Sequence, residues 1–260
     1  MKKRLFAILL VVVMLVAAIV PASAYSINQL NTADALNSLG LFLGTGKGYE
    51  LDRNLSRAEG TTMLVRMMGK EAEASEGTYD TPFTDLPAWA AGYIGYAYTN
   101  DITNGTGPKT FSPEVQLDEY MFLTLVLRAL GYSDAGENPD FSWDKPYELA
   151  KKVGLVNSTV ADKSFTRGDA VVVFWNAMNA EVVGKNMTLA ESLIDQSVFT
   201  AEEYAAAVEL QKVGKGEGGD ELPTEDEDIL GQIGTLPQVP GLGDLGGDGP
   251  PVLEEDIFED

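Results

Sequence analysis

The chain has 260 residues, a formal net charge of −22 and neither cysteine nor histidine. The absence of cysteine and histidine excludes disulfide bonds, thiol or imidazole catalysis and the usual zinc and copper sites. The excess of acidic residues argues against nucleic acid as a partner, because binding phosphate groups requires clustered lysine and arginine.

The first 24 residues have the pattern of a secretory signal peptide. Three basic residues precede an almost entirely apolar stretch, residues 5–20, and Ala22-Ser23-Ala24 provides small residues for cleavage before Tyr25. A retained membrane anchor is the alternative, since the apolar stretch is near the lower limit for spanning a bilayer. The sequence therefore predicts an exported protein without a transmembrane segment after cleavage.

The first helix–loop–helix unit is predicted at residues 28–70. The spacing of apolar residues predicts a helix over 33–43, followed by a glycine-containing turn and by Tyr49 as an aromatic anchor. A second helix is expected to begin just after Leu55. It is expected to end at Gly69, because glycine readily adopts the left-handed conformation that stops a helix.

The second unit, residues 80–132, has the clearest pattern. A helix is predicted over 89–98, with Gly105 in the segment that stops it, and Phe111 is expected to return to the core. Asp118 is predicted to cap a second helix whose apolar side chains face inward. When the two units are aligned on their closing glycines, Tyr49 of the first falls on Phe111 of the second.

A third unit and a terminal pair of helices complete the predicted folded part. The third unit, residues 139–180, is expected to contain helices over 146–153 and 165–178. Two further helices are predicted within residues 186–214, the second of which begins at Thr200 with the spacing of a capping box. This terminal pair is expected to cover the exposed end of the repeats.

The last segment, residues 215–260, has the composition of a disordered tail. It contains fourteen acidic residues, one lysine and many glycines and prolines. Such a segment cannot bury enough apolar surface to offset the entropy lost on ordering. The tail is interpreted either as a solvated spacer or as a docking segment for a protein partner.

The second unit resembles a repeat of the S-layer homology (SLH) family, and the other two units resemble diverged copies. The resemblance covers residues 28–180, and it depends on the recurrence of short motifs in the same order. These motifs are Phe83-x-Asp85 with Trp89, the turn at 101–105, Phe111-x-Pro113, and the Thr-Arg-Ala-Glu-like segments at 56–59 and 166–169.

This resemblance implies a mostly α fold, in which three helix–loop–helix repeats form a pseudo-threefold helical module with a groove between neighbouring repeats. It also implies a non-catalytic protein of the bacterial cell wall or cell surface, anchored non-covalently to anionic, often pyruvylated, secondary cell-wall polysaccharide. In the family, the signature arginine contacts a carboxylate, and the tryptophan, aspartate and glycine turn shape the groove. The implied glycan-binding candidates are Arg57, Arg167, Asp85, Trp89 and Gly105, with no catalytic residue, cofactor or metal expected.

The sequence departs from the family pattern in each repeat. Asp118-Glu119 replaces the Thr-Arg pair of the second repeat, so that groove loses its cation. The first repeat lacks the opening aromatic and aspartate, and the third lacks the aspartate and the glycine-rich loop, although Trp143 lies near the expected tryptophan. At most two of the three grooves are therefore expected to bind a polymer.

Each candidate residue also has a structural interpretation. The two arginines could pair with nearby acids at the helix starts, Trp89 could lie in the core, and Asp85 could be a helix N-cap. For the whole protein, the alternative is a structural envelope protein whose diverged repeats bind other proteins. A hydrolase is a third hypothesis, and it requires a deep pocket with carboxylates of perturbed pKa.

Overall fold

The computed structural model describes residues 25–157 and 164–213. The predicted signal peptide and the predicted acidic tail therefore lie outside the described residues. The domain boundaries given above remain predictions.

The described residues form a mostly α-helical structure, which confirms the predicted class. They contain isolated β-bridges but no strand. In chain order the helices are α1 (Ile27–Ser38), α2 (Arg57–Met67), α3 (Glu71–Glu76), α4 (Ala91–Thr99), α5 (Glu119–Ala129), α6 (Tyr147–Lys152), α7 (Arg167–Ala177), α8 (Leu189–Asp195) and α9 (Ala201–Lys212).

Side-chain caps fix the starts of the second helix of each repeat. Ser56 caps α2 and Thr166 caps α7, each in a capping box with the acidic residue three positions later. Asp118 accepts a hydrogen bond from the backbone N–H of Met121 at 2.8 Å, so the predicted N-cap of α5 is confirmed. The capping box predicted at Thr200 is also present, at the start of α9.

The ends of the first helices differ from the prediction in two repeats: α1 ends at Ser38 rather than at residue 43, and α4 is not stopped by Gly105. Helix α4 ends at Thr99, and Asp101 adopts a left-handed conformation, with φ at +58°. The corresponding positions after α1 and α6 are Gly40 and Gly154, with φ at +70° and +82°. The interpretation of Gly105 as the left-handed stop of α4 is therefore wrong, since Gly105 lies farther along the loop.

The sequence pattern also misplaced the starts of two helices and missed a third helix. Helix α1 begins at Ile27 rather than at residue 33, because Ser26 and Gln29 form an early capping box. Helix α4 begins at Ala91, so Trp89 precedes the helix instead of lying on its apolar face. The sequence pattern does not predict helix α3. This helix packs against α4, and its Ala74 is fully buried.

The helices of the three repeats pack in a cyclic order. The second helices α2, α5 and α7 contact one another pairwise. The first helix of each repeat packs on the second helix of the preceding one: α4 on α2, α6 on α5, and α1 on α7. Pseudo-threefold symmetry remains a prediction, which this contact pattern supports, and α9 packs along α1.

Candidate functional site

Arg57, the first residue of α2, is bound to the loop of the second repeat. Its Nε donates a hydrogen bond to the carbonyl oxygen of Phe111 at 3.1 Å, and its Nη2 donates to that of Asn104 at 3.0 Å. The guanidinium carbon lies 4.6 Å from the centroid of the Phe111 ring. We call Arg57, Asn104 and Phe111 the Arg57 junction.

Arg167 occupies the same position in α7 and is bound to the loop of the first repeat. Its Nε donates to the carbonyl oxygen of Tyr49 at 2.9 Å, and its guanidinium carbon lies 5.1 Å from the centroid of the Phe42 ring. Only 7% of Arg167 is exposed. Burial lowers the pKa of both signature arginines, although an arginine stays charged at any physiological pH.

The structural interpretation of the two arginines proposed that they pair with nearby acidic residues, and this is wrong. Neither Arg57 nor Arg167 forms an ion pair with any residue that the structure describes. Both instead join neighbouring repeats, together with the first backbone N–H groups of their helices. The N–H groups of Arg57 and Arg167 donate to carbonyl oxygens of Val115 and Arg53, which satisfies donors that a helix start leaves free.

Asp85 closes the loop of the second repeat and is not a helix cap. Its two carboxylate oxygens accept hydrogen bonds from the backbone N–H groups of Phe111 and Ser112, each at 2.8 Å. The bond from Phe111 is the main cause of a lowered pKa for this carboxyl group. The N-cap of α4 is Ala90, which has no side-chain hydrogen bond, so the N-cap interpretation of Asp85 is wrong.

Replacement of Asp85 by asparagine should lower the free energy of unfolding near neutral pH. The expected loss is only about 1 kcal/mol, because solvent screens this carboxylate. The pKa of Asp85 is lower in the folded protein than in the unfolded chain, where it is near 4. The charged carboxylate therefore stabilises the protein fully above the unfolded pKa, and this contribution disappears as the pH falls through the folded pKa. Urea unfolding of both proteins between pH 7 and pH 2.5 should therefore show a difference that shrinks below about pH 4. A constant difference across this range would contradict the role given to the charge.

Gly105 lies where no side chain fits. A Cβ atom at this position would lie 2.4 Å from a ring carbon of Phe83 and 2.6 Å from the carbonyl oxygen of Thr110. The glycine therefore allows the loop of the second repeat to close tightly. Gly105 thus has a structural role in the loop that receives Arg57.

Trp89 is exposed, so its interpretation as a core residue is wrong. Its exposed fraction is 54%, and it lies at the rim of a cavity that also includes Arg167. Trp143, near the corresponding position of the third repeat, is 66% exposed and is not part of that cavity. Tryptophan is enriched at binding interfaces, because it combines a large apolar ring with one polar group.

The cavity beside Arg167 has a volume of about 310 Å³ and a cationic lining. We call it the Arg167 cavity; it is lined by Leu41, Phe42, Leu43, Gly44, Thr45, Arg53, Glu59, Thr62, Met63, Arg66, Trp89 and Arg167. Arg53 pairs with Glu59 at 2.8 Å and Arg66 with Glu71 at 2.5 Å. Neither terminal nitrogen of Arg167 has a hydrogen-bond partner in the described part of the chain, so this guanidinium remains available to an anion.

The structure thus divides the five candidates between two places. Trp89 and Arg167 meet at the Arg167 cavity, whereas Asp85 and Gly105 support the loop that receives Arg57. Sequence reasoning missed Arg53, Arg66 and Thr62 in the cavity. Arg66 had a weak signal, because Arg128 occupies the same position, ten residues after the helix cap, in the second repeat.

The described ranges contain neither a cluster of metal ligands nor a helix that could span a membrane. No group of three or more acidic side chains is placed to hold a metal ion there. None of the helices in those ranges has the length and apolar character needed to cross a membrane.

Comparison with known proteins identifies the second repeat. Residues 82–118 match the family model of the S-layer homology domain. The chain is 30% identical over 174 residues to a middle cell wall protein of Brevibacillus brevis, a match that covers 64% of this chain and 16% of the relative. It is 34% identical over 131 residues to a surface layer protein of Brevibacillus choshinensis, a match that covers 48% of this chain and 12% of that relative.

A third relative is a cell surface protein of Thermoanaerobacter kivui, 30% identical over 180 residues, or 65% of this chain and 23% of the relative. The matched part of the chain therefore spans less than a quarter of each of these proteins. The chain contains an S-layer homology domain, as predicted, and the predicted cell-wall or cell-surface location is confirmed. The family model matches one repeat, and the assignment of the other two remains a prediction.

Proposed function

We propose that this chain is a non-catalytic surface protein that anchors non-covalently to an anionic cell-wall polysaccharide through the Arg167 cavity. The single observation behind the proposal is the buried Arg167, whose guanidinium forms no ion pair among the described residues and lines a cavity with the exposed Trp89. The S-layer homology domain and the names of the three relatives support a surface-anchoring role.

The lining of the cavity suits an acidic sugar. A guanidinium group can donate two parallel hydrogen bonds to a carboxylate, and such charge-assisted bonds are stronger than neutral ones. The Nε of Arg167 is already engaged with Tyr49, which fixes the group in place and leaves its two terminal nitrogens for the ligand. The ring of Trp89 offers an apolar face against which a sugar ring can pack.

The net negative charge of the chain does not prevent binding at this place. Three arginines and Glu59 line the cavity; Arg53 and Arg66 are paired with Glu59 and Glu71, and Arg167 is the lining arginine without an ion pair among the described residues. At physiological ionic strength, charges farther away than about 8 Å are largely screened. Acidic residues beyond that distance should therefore slow the approach of an anionic polymer more than they weaken its binding.

Sedimentation with wall sacculi tests the proposal. The purified chain is mixed with sacculi from the source organism, before and after the secondary polymer has been removed. We expect saturable binding to the intact sacculi and its loss after removal of the polymer. Equal binding to both preparations, or to neither, would refute anchoring through this polymer.

Trp89→Ala should weaken binding to intact sacculi by about tenfold or more, because exposed aromatic residues often dominate binding energy. The thermal unfolding midpoint should remain nearly unchanged, since the side chain is 54% exposed and precedes α4. Trp143→Ala is the matched control, because Trp143 is at least as exposed but lies outside the cavity. Equal effects of the two substitutions on binding would contradict the assignment of the site.

A structural envelope protein is the second candidate function. Glu119 stands in α5 where α2 and α7 have arginine, and the neighbouring Tyr120 is 39% exposed. An acidic and aromatic surface at this junction suits a protein partner better than an anionic polymer. This function predicts that the chain binds other surface proteins of the source organism even when no polymer is present.

A further inference from the structure

The loop of the second repeat contains the one asparagine–glycine pair of the chain, Asn104-Gly105. Glycine at the second position favours a covalent rearrangement, because a residue without a Cβ atom lets its backbone nitrogen approach the preceding side-chain amide. Asn104 is exposed, so water can reach its side chain. The backbone N–H of Gly105 donates no hydrogen bond to any residue that the structure describes, which leaves its nitrogen available as a nucleophile.

Arg128 holds the side-chain amide of Asn104 in a fixed orientation. The Oδ1 atom of Asn104 accepts a hydrogen bond from Nη2 of Arg128 at 3.1 Å, and its Nδ2 donates to the carbonyl oxygen of Thr103 at 3.3 Å. The guanidinium of Arg128 is itself fixed by Asp134, which accepts from Nε at 2.9 Å and from Nη2 at 2.6 Å. A fixed N–H donor on a carbonyl oxygen stabilises the negative charge that develops there when a nucleophile adds to the carbonyl carbon.

Arg57 contacts the peptide group that contains the nucleophile. Its Nη2 donates to the main-chain carbonyl oxygen of Asn104 at 3.0 Å, and this carbonyl shares a peptide bond with the N–H of Gly105. A charge-assisted hydrogen bond to the carbonyl stabilises the peptide anion, so it helps the nitrogen of Gly105 to lose its proton. One guanidinium group therefore lies on each of the two groups that must react, the side-chain amide and the following peptide bond.

We propose that Asn104-Gly105 is a self-modification site, at which Arg57 and Arg128 assist the conversion of the side-chain amide into a carboxylate. The nitrogen of Gly105 attacks Cγ of Asn104, the new N–C bond closes a cyclic succinimide, and the C–N bond of the side-chain amide breaks. The proton of the Gly105 N–H leaves with the amide nitrogen as ammonia. Water then adds to one carbonyl group of the succinimide and opens the ring to aspartate or isoaspartate, without any oxidant or reductant.

The modification changes the charge of the Arg57 junction. A neutral amide becomes a carboxylate that lies within reach of both Arg57 and Arg128. These two guanidinium groups are close to each other, because the charge of Arg128 contributes, after burial, to the lowered pKa of Arg57. The product therefore adds an anion where two repeats are joined through cations. The reacting groups belong to the second repeat and its junction, so the proposal does not depend on polymer binding at the Arg167 cavity.

Incubation of the purified full chain at neutral pH tests the proposal, with the proteolytic peptide that contains residue 104 followed by mass spectrometry. In water labelled with heavy oxygen, the product should gain labelled oxygen as the amide nitrogen is lost. We expect conversion to be about tenfold faster in the folded chain than in the same chain unfolded in urea, because only folding places both arginines on the reacting groups. Conversion that is equally fast or slower in the folded chain would overturn the proposal.

Two lysine substitutions separate the help of the arginines from simple exposure of the loop. Arg57→Lys and Arg128→Lys keep the charge but lose the guanidinium donors, so each should slow conversion in the folded chain by about threefold or more and leave the rate in urea unchanged. Asn104→Gln is the chemical control and should stay unmodified, since its longer side chain closes a larger ring. Circular dichroism identifies the variants that fold. A folded lysine variant that converts at the wild-type rate overturns the role of that arginine, and if neither variant folds, the comparison of folded and unfolded wild type decides.

Discussion

Arg128→Ala is expected to lower the free energy of unfolding by about 3–5 kcal/mol, because it leaves Asp134 buried without its partner. Arg128 donates to both carboxylate oxygens of Asp134, from Nε at 2.9 Å and from Nη2 at 2.6 Å. The side chains are only 10% and 11% exposed, so water cannot replace the lost bonds. Chemical denaturation at neutral pH measures the effect directly.

Arg66 provides the matched control for this prediction. It lies at the same position of α2 as Arg128 does in α5, but its partner Glu71 is 46% exposed and Arg66 itself is 37% exposed. Arg66→Ala should therefore cost only about 1 kcal/mol, as solvated ion pairs contribute little. Equal losses in the two variants would show that burial does not determine the strength of these pairs.

Acid should weaken the Arg128–Asp134 pair in a defined direction. The hydrogen bonds from Arg128 are the main cause of the lowered pKa of Asp134. The stabilisation is therefore complete above the unfolded pKa, near 4, and disappears as the pH falls through the lower folded value. The difference between the wild type and Arg128→Ala should accordingly decrease in acid.

Local signals in the sequence were sufficient to locate the second helix of each repeat. Ser56, Asp118 and Thr166 are N-caps in the structure, and Gly69 and Gly131 follow α2 and α5 with positive φ. Caps and glycines depend on residues within one turn of the helix, which explains why such predictions succeed. The short helix α3 has no side-chain cap and depends on packing against α4, so no local sequence signal predicts it.

The site was only partly visible in the sequence because its contacts join distant segments. Arg167 and the Tyr49 carbonyl oxygen that it binds are 118 positions apart, and Arg57 and Phe111 are 54 apart. The family resemblance selected the two arginines, but only the structure shows that Nη2 of Arg57 donates to a carbonyl oxygen, whereas the terminal nitrogens of Arg167 have no such partner among the described residues.

Phe111→Ala is expected to lower the free energy of unfolding by about 3–5 kcal/mol, which is the usual cost of removing a fully buried phenylalanine ring. The ring lies in a small cluster with Ala58, Ala90 and Ile94, and its centroid is 5.6 Å from that of Phe83. The loss would also remove the surface on which the guanidinium of Arg57 lies. Denaturation with urea, compared with that of the wild type, measures the difference.

Tyr49→Ala is the internal control, since Tyr49 aligns with Phe111 in the first repeat but is only partly buried. We expect it to cost about 1–2 kcal/mol, because less apolar surface is removed from its contact with Phe42. Phe111→Leu should retain most of the stability and, if the Arg57 junction only holds the repeats together, full binding to wall sacculi. Weakened sedimentation of a stably folded Phe111→Leu variant would instead show that the Arg57 junction also contacts the polymer.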